Sequence, residues 1–497
     1  MQVAKATYIK RASKNEDGMR NLLLTLAAVV LVGSASAHDG EHSAKTPPWQ
    51  QASAWPDRIV VTFASDPART IAVSWRTDPS AEVTQAQIVK ATPDARFDAG
   101  AETVTARTEP LDLARVPGAK SVLTVSENAG LPPVHYHSAM FSGLEPDTLY
   151  AYRVSGGQEK WSEWFQVRTA PLSGPVSFLY LGDAQNGILS HWARTIRAAY
   201  AKAPDARFII HAGDLVNQGS RDFEWAQWFK AVGFIHGMIP AVPVAGNHEY
   251  SRVGADPATA QRMLSIVWRP QFMLPVDETL PDDLKETVYS VRYGSDLEIF
   301  VLDTNAPDVA VQAKWLDAKL TNSTARWRVA TFHHPVFSSA GDRDNPRQRS
   351  ALLPVLKKHD VDLVLQGHDH TYARGTLPQT PERFSTGEDE IVDTMFVNSV
   401  SGPKQYKFAT DGWDRYAADG VRLDRQAENT QFFQLVRIDG ANLVYEAYTV
   451  DGQLYDRFAL YKGANGEKRL LKGPASTMNS RAFANTLDYD GADPLKD

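Results

Sequence analysis

Side chains of the types that bind metal ions gather in five short segments, each directly after an apolar run. The segments are Gly182-Asp183-Ala184-Gln185-Asn186, Gly213-Asp214-Leu215-Val216-Asn217, Gly246-Asn247-His248-Glu249, His333-His334-Pro335 and Gly367-His368-Asp369-His370. Carboxylate oxygen and imidazole nitrogen are ligands that hard and borderline divalent cations prefer. Two such ions about 3.5–4 Å apart need a bridging carboxylate and several further ligands. The segments together therefore predict a two-metal site.

The local sequence around these residues suits metal binding. Glycine stands directly before Asp183, Asp214, Asn247 and His368, which lets the backbone turn sharply at the end of a strand. A single Asp in such a place is often only a turn former or helix N-cap. Two of them combined with three histidine-containing segments favour the ligand interpretation.

The elements that must position these residues follow an alternating pattern from residue 175 onward. Amphipathic stretches that predict helices separate short apolar runs at 176–181, 208–211, 241–245, 299–302, 329–332 and 361–365. Such alternation predicts an α/β domain, here over residues 175–462, whose loops at the carboxyl ends of strands line one crevice. Late strands at 394–400, 432–437, 443–448 and 457–461 lack intervening helices and predict a second sheet packed on the first.

The segments outside this domain have different compositions. Residues 56–170 carry short strand-like runs with turn residues between them, which predicts a small all-β sandwich with Trp75 in its core. Residues 38–55 are polar with a proline pair and are expected to be a linker. Residues 463–497 are rich in Gly, Asn and Asp and are expected to form an extended tail.

Residues 19–37 have the features of a secretory signal peptide that starts at Met19, and residues 1–18 are expected to be upstream sequence. Arg20 supplies a positive charge, residues 22–32 are apolar, and Ala35-Ser36-Ala37 is a small-residue cleavage box. The alternative is a membrane anchor, but this run is well short of the roughly 20 residues that span a bilayer. We predict cleavage after Ala37, a secreted or periplasmic protein and no membrane span.

Composition excludes other kinds of site and partner. The 497 residues contain no cysteine, so disulfides and thiolate metal sites are excluded. The formal net charge of −7 supplies no broad basic face, so no nucleic-acid partner is expected. The oligomeric state is left open.

The order of the motifs, GD, GDxxN, GNHE, H-x-P and GHxH, is similar to that of the calcineurin-like metallophosphoesterases. The preceding segments VSWRT and GLEPDTLYAYRV resemble the fibronectin-III-like domain that precedes the catalytic domain of purple acid phosphatases. The resemblance covers roughly residues 56–462. It implies an α/β (α+β) fold, a four-layer β-sandwich flanked by helices, preceded by a small all-β fibronectin-III-like sandwich.

The resemblance also implies a role for each motif residue. Metal 1 is expected to bind Asp183, Asp214 and His370. Metal 2 is expected to bind Asp214 as a bridge, Asn247, His333 and His368. His248 is the expected catalytic residue, which contacts the phosphate together with Asn247 and protonates the leaving group.

Two departures from the family pattern affect metal 1. Asn217 stands where purple acid phosphatases have the tyrosine that binds ferric iron, and Gln185 stands where many relatives have an Asp-x-His histidine. We expect the side-chain oxygen of Gln185 to be the substitute ligand, with Asn217 as the alternative. The cofactors are then two divalent or mixed-valence ions, with Fe, Mn, Zn and Mg/Ca all open.

A third departure concerns the substrate. Asp342 and Arg343 replace a histidine pair that many purple acid phosphatases have after the H-x-P motif. Arg343 or Arg347 is a candidate to bind the substrate phosphate as a fork-shaped donor. For each of them a surface-loop role is equally open.

The expected function is hydrolysis of a small phosphate monoester, as in an acid phosphatase. Two cations lower the pKa of a bound water, and the hydroxide then attacks phosphorus. A phosphodiesterase acting on nucleotides or lipid head groups with the same site is the alternative. A non-catalytic binding protein, in which the sandwich recognises a partner, is a third hypothesis.

Overall fold

A computed structural model describes residues 47–114, 128, 130–253, 261–341, 343–378, 390–471, 479 and 481. The predicted signal peptide, the first part of the predicted linker, most of the predicted tail and Asp342 lie outside the described residues. Within the described ranges, none of the helices combines the length and the apolar character that crossing a bilayer requires.

The N-terminal sandwich consists of two antiparallel sheets, with strand orders β5-β6-β2-β1 and β4-β3-β7-β8. Its strands are β1 (Asp57–Thr62), β2 (Ile71–Thr77), β3 (Gln85–Lys90), β4 (Glu102–Thr105), β5 (Arg107–Leu111), β6 (Val134–Phe141), β7 (Leu149–Val154) and β8 (Phe165–Arg168). A one-turn 3₁₀-helix, Phe97–Gly100, lies between β3 and β4. Trp75 is fully buried, as expected, and its indole N–H donates to the carbonyl of Ser155 at 3.0 Å.

Two further sheets form the larger part of the chain, with orders β11-β10-β9-β21-β22-β23-β24 and β14-β15-β16-β17-β19-β18-β20. Strands of the first are β9 (Val176–Leu181), β10 (Ile209–His211), β11 (Ala241–Pro243), β21 (Phe432–Asp439), β22 (Asn442–Thr449), β23 (Leu454–Lys462) and β24 (Lys468–Leu471). Strands of the second are β14 (Tyr289–Tyr293), β15 (Leu297–Val301), β16 (Trp327–Thr331), β17 (Leu363–Gln366), β18 (Tyr372–Pro378), β19 (Glu390–Asn398) and β20 (Arg422–Ala427).

Helices and a hairpin complete the described chain. The helices are α1 (Ala193–Lys202), α2 (Asp222–Val232), α3 (Ile235–Met238), α4 (Trp268–Gln271), α5 (Val309–Asn322) and α6 (Pro346–Lys358). A π-helical turn, Ile188–Trp192, leads into α1, and a 3₁₀-helix covers Asp414–Asp419. The hairpin of β12 (Tyr250–Val253) and β13 (Gln261–Leu264) follows the GNHE segment.

Alternating burial along the strands of the second sheet shows how the layers stack. Leu363 and Leu365 of β17 belong to the core shared with the first sheet, whereas Val364 between them packs with Leu316 of α5 and Leu352 of α6. The first sheet carries α1 and α2 on its other face, where Trp192 and Trp228 are fully buried. The predicted four-layer fold and the preceding all-β sandwich are confirmed. The late strands do not form a separate sheet, however: β21 pairs with β9 and extends the first sheet, and β19 pairs with β17 in the second.

The sandwich and the larger part share a strand and a buried ion pair. Strand β1 pairs antiparallel with β2 and also pairs in parallel with β11, where Thr62 lies opposite Ala241. Beside this junction the carboxylate of Asp222, at the start of α2, lies 2.8 Å from Arg58 and 3.7 Å from Arg76, with both side chains of the closer pair almost completely buried. Charges taken out of water in this way must remain paired.

Both predicted flanking segments contain ordered structure. Gln50, within the expected linker, is buried and donates to Asp222 at 3.3 Å. Strand β24, within the expected tail, pairs with β23 and β19, and its Lys468 forms a fully buried ion pair with Asp362 at 2.9 Å. The tail prediction is therefore wrong for this strand, because composition alone did not show that Lys468 has a buried carboxylate partner.

We expect the stability of the fold to decrease in acid because His137 is buried in its neutral form. Its ring contacts the hydroxyls of Thr77 at 2.8 Å and Thr108 at 2.9 Å, while burial and neighbouring His135 lower its pKa to about 4. An unfolded histidine titrates near 6.5, so the unfolded chain binds more protons between these values. From pH 7.5 to 5 this residue should cost about 2 kcal/mol of stability.

Urea denaturation across this pH range measures the effect in the native protein and in His137→Asn. The variant should lose part of the pH dependence, whereas His191→Asn, which changes an exposed histidine, should keep it. An unchanged pH slope in His137→Asn contradicts the assignment.

Candidate metal centre

The expected ligands lie at one edge of the two packed sheets, each just after a parallel strand. Asp183 follows β9, Asp214 follows β10, and Asn247 follows β11 in the first sheet. His333 follows β16 and His368 follows β17 in the second sheet. Parallel strands end at the same side, so the topology brings both sheets' loops to one place.

Backbone conformation at this edge agrees with the expectation about glycine only in part. Left-handed φ occurs at expected ligand residues, with 47° at Asp183, 51° at Asp214 and 76° at His368, and among the preceding glycines at Gly213, with 89°. Another of these glycines is needed for close approach: a Cβ at Gly246 would lie 2.2 Å from the Asp214 carboxylate. Non-glycine residues in this region of φ are strained and cluster at functional sites.

The expected metal-2 ligands converge on one point. The Nε2 atom of His333 lies 3.1 Å from Asp214 Oδ2, 3.1 Å from Asn247 Oδ1 and 3.2 Å from His368 Nδ1. His333 holds its orientation by a bond from Nδ1 to the carbonyl of Ala212 at 2.9 Å. This mixed oxygen and nitrogen set fits a divalent cation.

The expected metal-1 ligands form a second group that shares Asp214. Asp183, Asp214 and His370 each offer one ligand atom within 4.8 Å of the others, and all three are buried. His370 Nδ1 donates to the carbonyl of Lys404 at 3.0 Å, which directs Nε2 towards Asp183 Oδ1 at 3.7 Å. A carboxylate shared between two ligand groups is the arrangement that a metal pair requires.

Gln185 lies between these ligands with its amide fully buried. Its Nε2 lies 2.9 Å from both Asp214 Oδ2 and His370 Nε2, while its Oε1 has no hydrogen-bond partner among the described groups. Exchange of the amide oxygen and nitrogen positions would direct the oxygen at the same two ligands. Asn217 instead uses its backbone, whose carbonyl accepts from His248 Nδ1.

Electrostatics at the centre favour bound cations. Burial raises the pKa of Asp183 to about 8, and burial together with Asp214 raises that of Glu249 to about 8. Burial by itself would lower the pKa of His333 and raise that of Asp214. The attraction between the two side chains outweighs burial, so Asp214 raises the pKa of His333 to about 9 and His333 lowers that of Asp214. Among the described residues, the ion pairs of Asp183 and Asp214 are with histidines alone, so added positive charge would be stabilising.

Glu249 and His248 support and extend the centre. The buried carboxylate of Glu249 accepts from the backbone N–H groups of Asp214 at 2.9 Å, Leu215 at 2.8 Å and Gly246 at 2.7 Å, which fixes two ligand loops together. His248 is partly exposed, and its Nε2 lies 3.9 Å from Asp214 Oδ2. It is placed at the mouth of the site, where a substrate can contact it.

The structure separates the two candidate arginines. Arg347 donates to the backbone carbonyls of Pro307, Thr304 and Ala306, which gives it a structural role. Arg343 contacts His368 Nε2 and is 32% exposed, so it lies at the rim of the centre.

The sequence motifs did not indicate the loop that carries Lys404 and Tyr406. The Tyr406 ring lies 4.7 Å from the His370 ring, 5.2 Å from the Arg343 guanidinium and 5.7 Å from the Lys404 ammonium. This loop follows β19, which is parallel to β17. The strand predicted at 394–400 was therefore the available signal that its following loop reaches the same edge.

Comparisons with known families agree with this geometry. A model described as calcineurin-like phosphoesterase matches residues 176–372, and one described as the purple acid phosphatase N-terminal domain matches residues 56–169. The first range contains β9 to β17 and the ligands that follow them. The second contains the small sandwich.

Similar proteins and structures point the same way. Probable purple acid phosphatase 20 of Arabidopsis thaliana is 26% identical over 46% of this chain, and the match spans about half, 53%, of that relative. Purple acid phosphatase PPD1 from yellow lupin seeds has a similar fold, with a TM-score of 0.66 and 18% identity over 83% of this chain and 75% of its own. Purple acid phosphatase 17 of Arabidopsis thaliana is 34% identical over 50% of this chain and 78% of its own. Because of this last match and the two matching domain families, the chain belongs to the purple acid phosphatase family of calcineurin-like metallophosphoesterases.

Proposed function

We propose that the protein is a metal-dependent phosphatase that hydrolyses small phosphate monoesters. The observation that carries this proposal is the shared carboxylate of Asp214, which belongs to both converging ligand groups at one sheet edge. Membership of the purple acid phosphatase family supports the same reaction class.

The ligand residues proposed for the two ions are those that converge in the structure. Metal 1 would be held by Asp183, Gln185, Asp214 and His370, and metal 2 by Asp214, Asn247, His333 and His368. Two bound cations would supply positive charge to the phosphoryl oxygens and would lower the pKa of a water that attacks phosphorus.

The remaining groups act on the substrate directly. Asn247 and His248 lie together at the rim, where the amide and the imidazole can donate to phosphoryl oxygens. Because His248 Nδ1 is fixed by the carbonyl of Asn217, its Nε2 is the atom that would carry a proton to the leaving oxygen. Arg343 is the nearby cation that would neutralise charge developing on the phosphoryl group.

Assays on the purified protein test this function. Metal content and hydrolysis of an aryl phosphate monoester and a bis-aryl phosphate diester should be measured with Mn, Zn, Fe and Mg. We expect turnover of the monoester to be faster. A faster diester reaction would assign the phosphodiesterase alternative, and no turnover with any ion would favour the non-catalytic hypothesis.

Gln185 is the residue that tests the metal-1 proposal. We expect Gln185→Ala to lower bound metal from about two ions per chain towards one. The buried amide of Gln185 is the one expected metal-1 ligand that is neither a carboxylate nor an imidazole, and alanine has no donor atom to replace it. Elemental analysis of the dialysed protein measures this. Gln185→His should restore the second ion, and unchanged stoichiometry in Gln185→Ala would transfer the role to another ligand.

The replacement of tyrosine by Asn217 has a spectroscopic consequence. Since no phenolate is supplied at this position, the protein loaded with iron should lack a strong visible charge-transfer band. An absorption spectrum of the iron-loaded protein measures this, and an intense band in the visible range would contradict the assigned ligand set.

We propose in addition that the protein is exported, on the pattern of residues 19–37. Expression of the full chain in a bacterium should place activity in the periplasm or medium, with a mature N-terminus at His38. An intact N-terminus on all of the protein would contradict this.

A further inference from the structure

The residue between the two GHxH histidines is a fully buried carboxylate that is not among the expected ligands. Asp369 directs Oδ2 to the loop after the H-x-P motif, where it accepts from Ser338 Oγ at 2.6 Å, Ser339 N at 2.6 Å and Ala340 N at 3.3 Å. These contacts fix the carboxylate relative to the loop that leads to Arg343.

The other oxygen of Asp369 has a different neighbour. Oδ1 accepts no hydrogen bond among the described residues, yet it lies 3.3 Å from Arg343 Nε. Nε supplies only one of the five N–H donors of the guanidinium, so an ion pair there leaves terminal N–H groups for other acceptors.

The outer part of Arg343 lies beside the expected ligand His368. A terminal nitrogen contacts Nε2 of this ring, the nitrogen other than the Nδ1 atom that joins the metal-2 group. The guanidinium also lies 5.2 Å from the Tyr406 ring, which in turn packs on His370. The arginine is thus held beside ligands of both groups.

We propose that Asp369 is a positioning residue that holds Arg343 at the rim of the metal centre so that its terminal N–H groups bind phosphoryl oxygens. The inference rests on the proposed function, because it assumes that a phosphate enters beside these histidines. A guanidinium fixed at Nε is oriented before the substrate arrives, and orientation fixed in advance strengthens binding.

Binding of inorganic phosphate to the metal-loaded protein, measured by calorimetry, tests this independently of turnover. Asp369→Asn and Arg343→Ala should each weaken phosphate binding about ten- to 150-fold, the range for loss of a charge-assisted hydrogen bond. The double variant should bind no more weakly than Arg343→Ala, since Asp369 acts through the arginine. Additive losses would overturn the proposal.

Enzyme kinetics and metal analysis separate positioning from general support. In Asp369→Asn we expect KM for the monoester to rise more than kcat falls, with bound metal unchanged. Loss of metal would instead assign Asp369 to supporting the histidine ligands. Ser338→Ala is the matched control: it removes a bond to the other oxygen of Asp369 and should leave phosphate affinity unchanged.

Arg343→Lys keeps the proposal testable if Asp369→Asn does not fold. Lysine retains the charge but has no Nε N–H edge for the carboxylate, so phosphate binding should weaken nearly as much as in Arg343→Ala. Unchanged affinity would show that charge alone suffices and would overturn positioning. Phosphate binding with this dependence but no ester turnover would overturn the proposed function alone.

Discussion

Asp214→Asn should lower kcat/KM at least about 10³-fold, since the charge stabilisation that a metal centre supplies is worth several kcal/mol and each 1.4 kcal/mol is a factor of ten. The carboxylate belongs to both ligand groups, and its Oδ2 lies 3.1 Å from His333 Nε2. The amide has nearly the same shape but no charge to bridge two cations. Bound metal should fall in the same variant.

Steady-state kinetics and elemental analysis on the same preparation measure both effects. Circular dichroism should show that Asp214→Asn keeps its fold. Activity within tenfold of the native protein, at unchanged metal content, would contradict the bridging role. The variant also serves as a blank for contaminating phosphatases in the monoester assay.

Asp222→Ala should have the largest effect on stability, a loss of about 3–5 kcal/mol, which is typical when one partner of a buried ion pair is removed. The carboxylate lies 2.8 Å from Arg58 and accepts from Gln50, and both charged side chains are almost completely buried. Its removal takes the close carboxylate partner from buried Arg58, whereas Arg76 keeps Asp57 at 2.6 Å.

Urea denaturation measures this loss against a matched exposed pair. Asp98 lies 3.8 Å from Arg96, with the arginine 85% exposed, so Asp98→Ala should cost less than about 1 kcal/mol. A similar loss in both variants would contradict the role of the buried pair. Folded Asp222→Ala should still bind its full complement of metal, in contrast to Asp214→Asn.

Much of the fold follows from hydrophobic periodicity, because buried parallel strands read as continuous apolar runs. The runs at 176–181 and 329–332 were predicted within two residues of β9 (Val176–Leu181) and β16 (Trp327–Thr331). Some strands with polar outer faces were missed. Strand β20 (Arg422–Ala427) is an example, since its charged side chains pair with residues distant in sequence, as Arg422 does with Glu390 at 2.9 Å.

The convergence of the candidate site was predictable where an expected ligand follows a strand, and not where a contact depends on tertiary packing. Asp183, Asn247 and His333 were identified from local motifs, and the structure brings them to one edge. The orientation of the Gln185 amide and the neighbourhood of Tyr406 depend on loops from distant strands. The spacing of residues along the chain does not indicate which of these distant side chains come into contact.

Strand β1 has a thermodynamic consequence because it is hydrogen-bonded to strands of both parts of the molecule. Its pairing with β11, and the Arg58–Asp222 contact beside it, place the small sandwich and the larger part in one compact unit from Pro47 onward. Unfolding of either part would expose the strand edge of the other part and would remove the partner of its buried charge. Calorimetry should therefore record a single cooperative heat-absorption peak, although proteins of several domains commonly show more.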